Sequence, residues 1–164
     1  MNTGRSVVLI LVLGCAACAT GPESRAPEPV RSAAAPIAAL DLLRRRDPAT
    51  DWDRRSLLRA DLDLDGGEDY AAAGVREDRF VVGIVHGPLS ADSRVWTLEF
   101  PWDSSEDALC SRKARIALES LAENPGPKPG HPREGLGINL HDDLCDAFHI
   151  YWNPDENEFE WWRL

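Results

Sequence analysis

The feature that most restricts the fold of this chain is a two-residue alternation of apolar and polar side chains. In the segment 94–100 (RVWTLEF), every second residue is a large apolar one. The C-terminal segments 147–152 (AFHIYW) and 158–164 (EFEWWRL) show a similar pattern on either side of Asn-Pro-Asp-Glu-Asn at 153–157. Successive side chains of a β-strand point to opposite faces, so this period predicts half-buried strands. The composition of 153–157 predicts a turn, and the last two segments therefore predict a β-hairpin.

The rest of the folded region reads mostly as strands, with one short helix. Ile37 to Arg46 has apolar residues at helical spacing and is followed by Asp-Pro, which predicts a helix. Residues 113–121 fit both a strand and a helix, and 123–137, with four prolines and four glycines, predict a long loop. Further strands are predicted at 56–60, 70–75 and 80–86. The sequence therefore predicts one small α+β domain over 37–164, dominated by antiparallel strands.

The N-terminus has the organisation of an export signal. Arg5 precedes the uncharged stretch VVLILVL, and small residues follow it. The uncharged run from Val7 to Ala19 has 13 residues. A helix that crosses the hydrocarbon of a bilayer needs roughly 20 residues. This segment therefore predicts a cleaved secretory signal and not a membrane span.

Residues 12–15 (Val-Leu-Gly-Cys) resemble the lipobox of bacterial lipoproteins. The resemblance implies that residues 1–14 are removed as a signal peptide and that Cys15 becomes the acylated N-terminus, anchored in a membrane through its lipid. In that family the residue after the cysteine directs sorting, and Ala16 differs from the aspartate of the retained type. This implies a lipid-anchored protein of the bacterial cell envelope, in the outer membrane and facing the periplasm.

The alternative to lipidation is cleavage of an ordinary signal peptide after Ala17 or Ala19. That cleavage would give a secreted protein without an anchor.

Residues 15–36 are rich in proline and alanine and have no apolar period, which predicts a semi-extended tether. The tether would hold the folded domain away from the bilayer.

The charge balance limits the partners of the folded domain. The chain has 18 Lys and Arg residues against 28 Asp and Glu residues, a formal net charge of −10. Such a surface repels nucleic acid phosphates and anionic lipid head groups, so we expect no nucleic acid partner. The same charge leaves open a role as an acidic inhibitor of a cationic partner.

Two cysteines lie in the folded region, Cys110 and Cys145. Export would place them in an oxidising compartment, where paired cysteines persist as disulfides. A disulfide between them would close a loop of about 35 residues and stabilise the fold by roughly 3–4 kcal/mol. Two buried free thiols are the alternative.

An acidic segment at 61–70 (DLDLDGGEDY) is the strongest indication of chemistry. Carboxylates occupy loop positions 1, 3, 5 and 9, and Gly66 at position 6 permits the positive φ of a sharp turn. Calcium needs six to eight oxygen ligands in a flexible shell, whereas magnesium fits such a cage poorly. A solvated turn without a metal is the alternative. The predicted calcium ligands are Asp61, Asp63, Asp65, the backbone carbonyl of Gly67, and Asp69.

This segment resembles the calcium loops of the FG-GAP/VCBS type, with the pattern DxDxDGxxD between two strands. It departs from that pattern at Leu64, where the family prefers glycine. The family's propellers stack many such units, and this chain has one, so the resemblance implies the loop and not the propeller. Residues 55–164 also resemble small exported bacterial proteins of unknown function, which combine a DGxxDY loop with an aromatic C-terminal hairpin.

The sequence offers no set of catalytic residues. His141-Asp142-Asp143 is a weak metal candidate in a predicted turn, and His86 and His149 are predicted to be packed or edge residues. Trp162 is the best candidate for an exposed aromatic residue that stacks on a ligand. We therefore expect a non-enzymatic binding or structural module that presents a surface to another envelope component. A periplasmic hydrolase acting on cell-wall or sugar substrates is the alternative.

Overall fold

Strands form most of the regular structure in the computed structural model, which describes residues 34–102, 105, 107–124, 126 and 130–163. One helix, α1 (Ala35–Arg46), comes first, and a 3-10 turn (Arg54–Ser56) follows the first strand. The strands are β1 (Asp51–Trp52), β2 (Leu58–Ala60), β3 (Asp69–Arg76), β4 (Arg79–Val85), β5 (Val95–Pro101), β6 (Arg115–Ser120), β7 (Leu136–His141), β8 (Phe148–Asn153) and β9 (Glu158–Arg163). The predicted signal peptide, Cys15 and the tether before residue 34 lie outside the described residues.

The strands form two antiparallel sheets. In the first sheet, β1 and β2 both pair with β3, which pairs with β4, and β4 pairs with β5. The second sheet has the order β6-β7-β8-β9. The predicted α+β class with mainly antiparallel strands in one small domain is confirmed, as is the C-terminal hairpin formed by β8 and β9. The packing of two sheets against each other was not predicted.

Alternate residues of both sheets meet in one buried core. The rings of Phe100 on β5 and Phe148 on β8 lie 4.8 Å apart and join the two sheets. Fully burying one such side chain stabilises a fold by roughly 1.5–3 kcal/mol. Other large buried members are Leu62, Ile84, Ile138, Leu140 and Ile150. This packing explains why every second residue of these strands is apolar.

The outer face of the first sheet is covered by α1. Leu40 and Leu43 of the helix pack with Trp52 and Val81 in a second buried cluster. Leu43 and Trp52 approach Gly83 so closely that an added Cβ there would lie 2.6 Å from both side chains. Within the described part of the chain, no helix is long and apolar enough to cross a membrane.

The outer face of the second sheet carries a polar and aromatic cluster instead of solvent-exposed aromatic rings. Trp162 is buried, and the prediction that it is an exposed stacking residue is wrong. The rings of His131 and His149 stack on its indole at 5.0 and 5.1 Å, and Tyr151 packs beside it. His149 is buried, as predicted, and its Nδ1 lies 2.9 Å from an oxygen of Glu119.

Three other sequence predictions are resolved by the structure. Cys110 and Cys145 form the predicted disulfide, with their Cα atoms 6.0 Å apart. The ambiguous segment 113–121 contains a strand and not a helix. This strand, β6, pairs with β7 along its whole length. The predicted long loop at 123–137 is wrong at its C-terminal end, because Leu136 and Gly137 begin β7, which pairs with β6 and β8.

Candidate metal centre

The acidic segment connects two paired strands. Asp61 follows the last residue of β2, and Asp69 is the first residue of β3. Because Ala60 and Asp69 are paired across the antiparallel ladder, the residues between them must turn back within a short distance. The loop therefore lies between two strands, as the resemblance to calcium loops implies.

Two residues in this turn have left-handed backbone conformations. Gly66 has a φ of +88°, which is the role predicted for the glycine at position 6. Leu64 has a φ of +63°, which is unusual for a large side chain. Leu64 stands where similar loops prefer glycine, and it takes a conformation that glycine adopts without strain. Its side chain contacts Gly135, where an added Cβ would lie 2.6 Å from Leu64 Cδ2.

Three carboxylates each use one oxygen to hold the turn. The N–H of Gly66 donates to Asp61 Oδ2 at 3.0 Å, and the N–H of Gly67 donates to Asp65 Oδ1 at 2.6 Å. The N–H of Asp65 donates to Asp63 Oδ1 at 3.2 Å. Asp61 Oδ1 is inaccessible to solvent and has no hydrogen-bond partner. One ligand oxygen from each of Asp61, Asp63 and Asp65 can be chosen so that all three lie within 4.8 Å of one another.

Asp69 anchors the end of the loop. Its side chain is 2 % exposed. One oxygen accepts a hydrogen bond from Leu62 N at 2.9 Å, and the other accepts one from Gly87 N at 3.0 Å. Gly87 has no room for a side chain, because a Cβ there would collide with the carbonyl of Glu68. Asp69 thus joins the loop to the segment after β4, and its oxygens retain lone pairs for a metal ion.

His86 belongs to the same centre, although its sequence context predicts only a packed or edge residue. It follows β4, which pairs with β3 so that Val85 lies opposite Tyr70. Its Nδ1 lies 3.0 Å from Asp63 Oδ2 and 3.3 Å from Asp69 Oδ1. Although both oxygens are close, Nδ1 is inaccessible to solvent and makes no hydrogen bond. The strand register is the signal that would have found His86, because it places this residue beside Asp69.

The charge distribution of the centre favours a bound cation. Burial of Asp63 raises the pKa of its carboxyl group, and the nearby charges of Asp69 and Asp65 raise it further. The hydrogen bond from the Asp65 amide and the proximity of His86 act in the opposite direction without cancelling these effects. A divalent cation would neutralise the crowded carboxylates and remove this electrostatic cost.

The donor atoms form two overlapping sets. Asp61, Asp63 and Asp65 supply oxygen, which suits calcium, whereas Asp63, Asp69 and His86 supply oxygen and nitrogen together. Within the described residues, these are the only groups of three or more His, Cys, Asp and Glu ligands with such spacing. The N–H of Gly67 donates a hydrogen bond to Asp65. Ligation of a metal ion by the Gly67 carbonyl stays a prediction.

The segment His141-Asp142-Asp143 is held by other interactions. His141 Nδ1 lies 3.2 Å from Asp143 Oδ1, which also pairs with Arg115 at 2.7 Å. Asp142 accepts hydrogen bonds from the backbone amides of Ser111 and of residues 144 and 145. Asp142 therefore serves the loops around the disulfide, which accounts for its burial without a metal.

Comparisons with protein-family models, with curated proteins and with solved structures found no match to this chain.

Proposed function

We propose that this protein is a lipid-anchored component of the bacterial envelope whose folded domain is a binding or structural module stabilised by calcium. The 61–69 loop holds the ion, with Asp61, Asp63, Asp65, Asp69 and the carbonyl of Gly67 as ligands. We assign this centre no catalytic role, because carboxylates and one imidazole converge there, and such groups are common ligands of cations. The domain would present its surface to another envelope component.

The observation that carries the proposal is the state of the carboxylate oxygens in the loop. Asp61 Oδ1 is buried without a hydrogen-bond donor. The other oxygen of this carboxylate, Oδ2, accepts a hydrogen bond from the Gly66 amide. The carboxylate therefore cannot rotate toward solvent without losing that hydrogen bond in the loop. Leaving a buried polar group unpaired costs roughly 1–3 kcal/mol, and more for a charged one. A calcium ion at the centre would satisfy this oxygen together with those of Asp63 and Asp65.

Thermal unfolding in calcium and in chelator tests the metal. Calcium at 100 times its Kd should add about 2.7 kcal/mol to the stability of the folded state. For a domain of this size, that gain corresponds to a rise in Tm of about 10 °C. Asp61→Asn should abolish the rise, and Asp155→Asn, at an exposed aspartate in the β8–β9 turn, should retain it. A wild-type Tm that is equal in the two buffers would remove calcium from the proposal.

The anchor has a separate test, because it depends on Cys15 and not on the loop. Expressed in a bacterium with its N-terminus intact, the wild-type protein should partition into the detergent phase. Cys15→Ala should move it to the aqueous phase, and Cys18→Ala should leave it in the detergent phase. Two or more acyl chains hold a protein stably on a membrane, which is the physical basis of the expected difference. Aqueous partitioning of the wild type would reduce the proposal to secretion without an anchor.

A further inference from the structure

We propose that the centre contains a second binding position, formed by Asp63, Asp69 and His86, that takes a transition-metal dication such as Zn²⁺ or Mn²⁺. The inference deepens the proposed function, because it depends on the same loop but on a different set of ligands. Both positions would use Asp63 and Asp69. Calcium would add the oxygens of Asp61, Asp65 and Gly67, whereas this position adds an imidazole nitrogen of His86 from the end of the neighbouring strand.

The donor atoms of this position have the spacing of metal ligands. Two ligands bound to zinc at about 2.1 Å in a tetrahedral shell are about 3.4 Å from each other. His86 Nδ1 lies 3.0 Å from Asp63 Oδ2 and 3.3 Å from Asp69 Oδ1. These distances are close to the edges of such a shell. They do not reflect hydrogen bonds from the ring, because Nδ1 makes none.

One oxygen of Asp63 and the Nδ1 atom of His86 make no hydrogen bond within the described residues. The Asp63 side chain is only 8 % exposed. Its Oδ1 accepts the amide of Asp65, whereas its Oδ2 accepts no hydrogen bond from any residue that the structure describes. Asp63 Oδ2 and His86 Nδ1 thus lie 3.0 Å apart without a hydrogen bond between them, and Nδ1 is inaccessible to solvent. A metal ion would satisfy both at once, and that points to a ligand more directly than the acidity of the loop does.

Other contacts already hold Asp69 and His86 in place. Asp69 is fixed by the amides of Leu62 and Gly87. The ring of His86 meets the edge of Trp96 at 6.3 Å, with an interplanar angle of 88°. Supporting contacts of this kind orient metal ligands and raise the affinity of a site. The position therefore needs little rearrangement to bind an ion.

The donor chemistry distinguishes this position from the calcium position. Calcium takes oxygen ligands, whereas imidazole together with carboxylates suits zinc and other transition metals. The side of the centre near Asp65 is open, since this side chain is 44 % exposed and His86 is 33 % exposed. Ions can enter from that side, and water can complete the coordination shell. Because Asp63 has one oxygen without a hydrogen bond, we expect Ca²⁺ and Zn²⁺ to compete.

Calorimetric titrations of the full chain with Zn²⁺ alone and with Ca²⁺ alone would test the inference. His86→Asn should weaken Zn²⁺ binding at least tenfold and leave the Kd for Ca²⁺ within about twofold, since only the first ion uses the ring. Asp61→Asn should show the reverse pattern. His141→Asn is the matched control, because this half-buried histidine pairs with Asp143 at a turn and belongs to neither ligand set. Its Zn²⁺ affinity should equal that of the wild type.

Any other result of these titrations either supports or overturns the inference. Zn²⁺ affinity unchanged in His86→Asn, or reduced equally in His141→Asn, would show adventitious binding only and would overturn the inference. If Zn²⁺ binding depends on His86 while Ca²⁺ never binds, the calcium proposal fails and this one stands. Should His86→Asn fold poorly, the ¹⁵N resonance of the His86 ring in the wild type decides the matter. A large shift of Nδ1 on adding Zn²⁺ is expected, and an unchanged resonance contradicts direct ligation.

Discussion

Asp63→Asn should stabilise the protein in chelator and destabilise it relative to wild type in calcium. The Asp63 side chain is 8 % exposed, and a ligand oxygen from it lies within 4.8 Å of one from Asp61 and one from Asp65. At that distance, two like charges repel by about 0.9 kcal/mol in water and about 3.5 kcal/mol at an effective dielectric constant of about 20. Asparagine keeps an oxygen to accept the Asp65 amide and loses the charge. Allowing for the lost attraction to His86, the net gain in chelator is about 1–3 kcal/mol.

Calcium should reverse this order. At 1,000 times its Kd, calcium would add about 4.1 kcal/mol to wild type, and Asp63→Asn should receive little of that stabilisation. The assay is thermal unfolding of both proteins in EGTA and in calcium, with Asp155→Asn as a control that should behave as wild type in both buffers. In EGTA the variant should melt about 4–12 °C above wild type.

The pH dependence of the chelated proteins supplies an independent check. The pKa of Asp63 is raised above 3.8 in the folded state, so its ionised form opposes folding. This penalty is complete above the folded-state pKa and disappears as the pH falls below 3.8. The advantage of Asp63→Asn in EGTA should therefore shrink on acidification. A variant that melts below wild type in EGTA at pH 7 would refute the reasoning, because it would show that the Asp63 carboxylate is net stabilised in the absence of metal.

Three further changes test the frame around the centre. Burial acts to raise the pKa of Asp142, but hydrogen bonds from four backbone amides outweigh this effect and lower the pKa. In urea unfolding at pH 7, Asp142→Asn should therefore lower the free energy of unfolding by about 1.5–3 kcal/mol. The difference from wild type should shrink as the pH falls below 3.8. Replacing Cys110 and Cys145 by serine opens a loop of 35 residues and should cost about 4 kcal/mol, measured as a lower urea midpoint under non-reducing conditions. Leu64→Gly removes a left-handed leucine and should add about 0.5 kcal/mol after the entropy cost of glycine, and a lower Tm would show that the contact with Gly135 dominates.

The local sequence was sufficient to predict most strands and the composition of the loop. The alternation at 94–100 and in the C-terminal pair identified β5, β8 and β9, because a strand exposes successive side chains to two different environments. The turn residues between β8 and β9 identified the hairpin. The sequence was also sufficient to place four aspartates in one loop, namely Asp61, Asp63, Asp65 and Asp69. Their placement depends only on the spacing within a short segment and on a glycine that permits the turn.

Contacts between distant segments decided the remaining features. Residues 113–121 become a strand because β7 pairs with them, and Trp162 is buried because His131 and His149 stack on it. Such outcomes depend on which segments are neighbours in space, and periodicity along one segment carries no information about that.

His86 shows the same limit at the candidate site. The sequence by itself determined an acidic loop able to present oxygen atoms to an ion. Only the tertiary structure placed an imidazole beside it, because the register of β3 on β4 brings His86 next to Asp69 and Asp63. A register depends on the burial of many side chains along both strands, and one residue of displacement would turn His86 to the other face of the sheet.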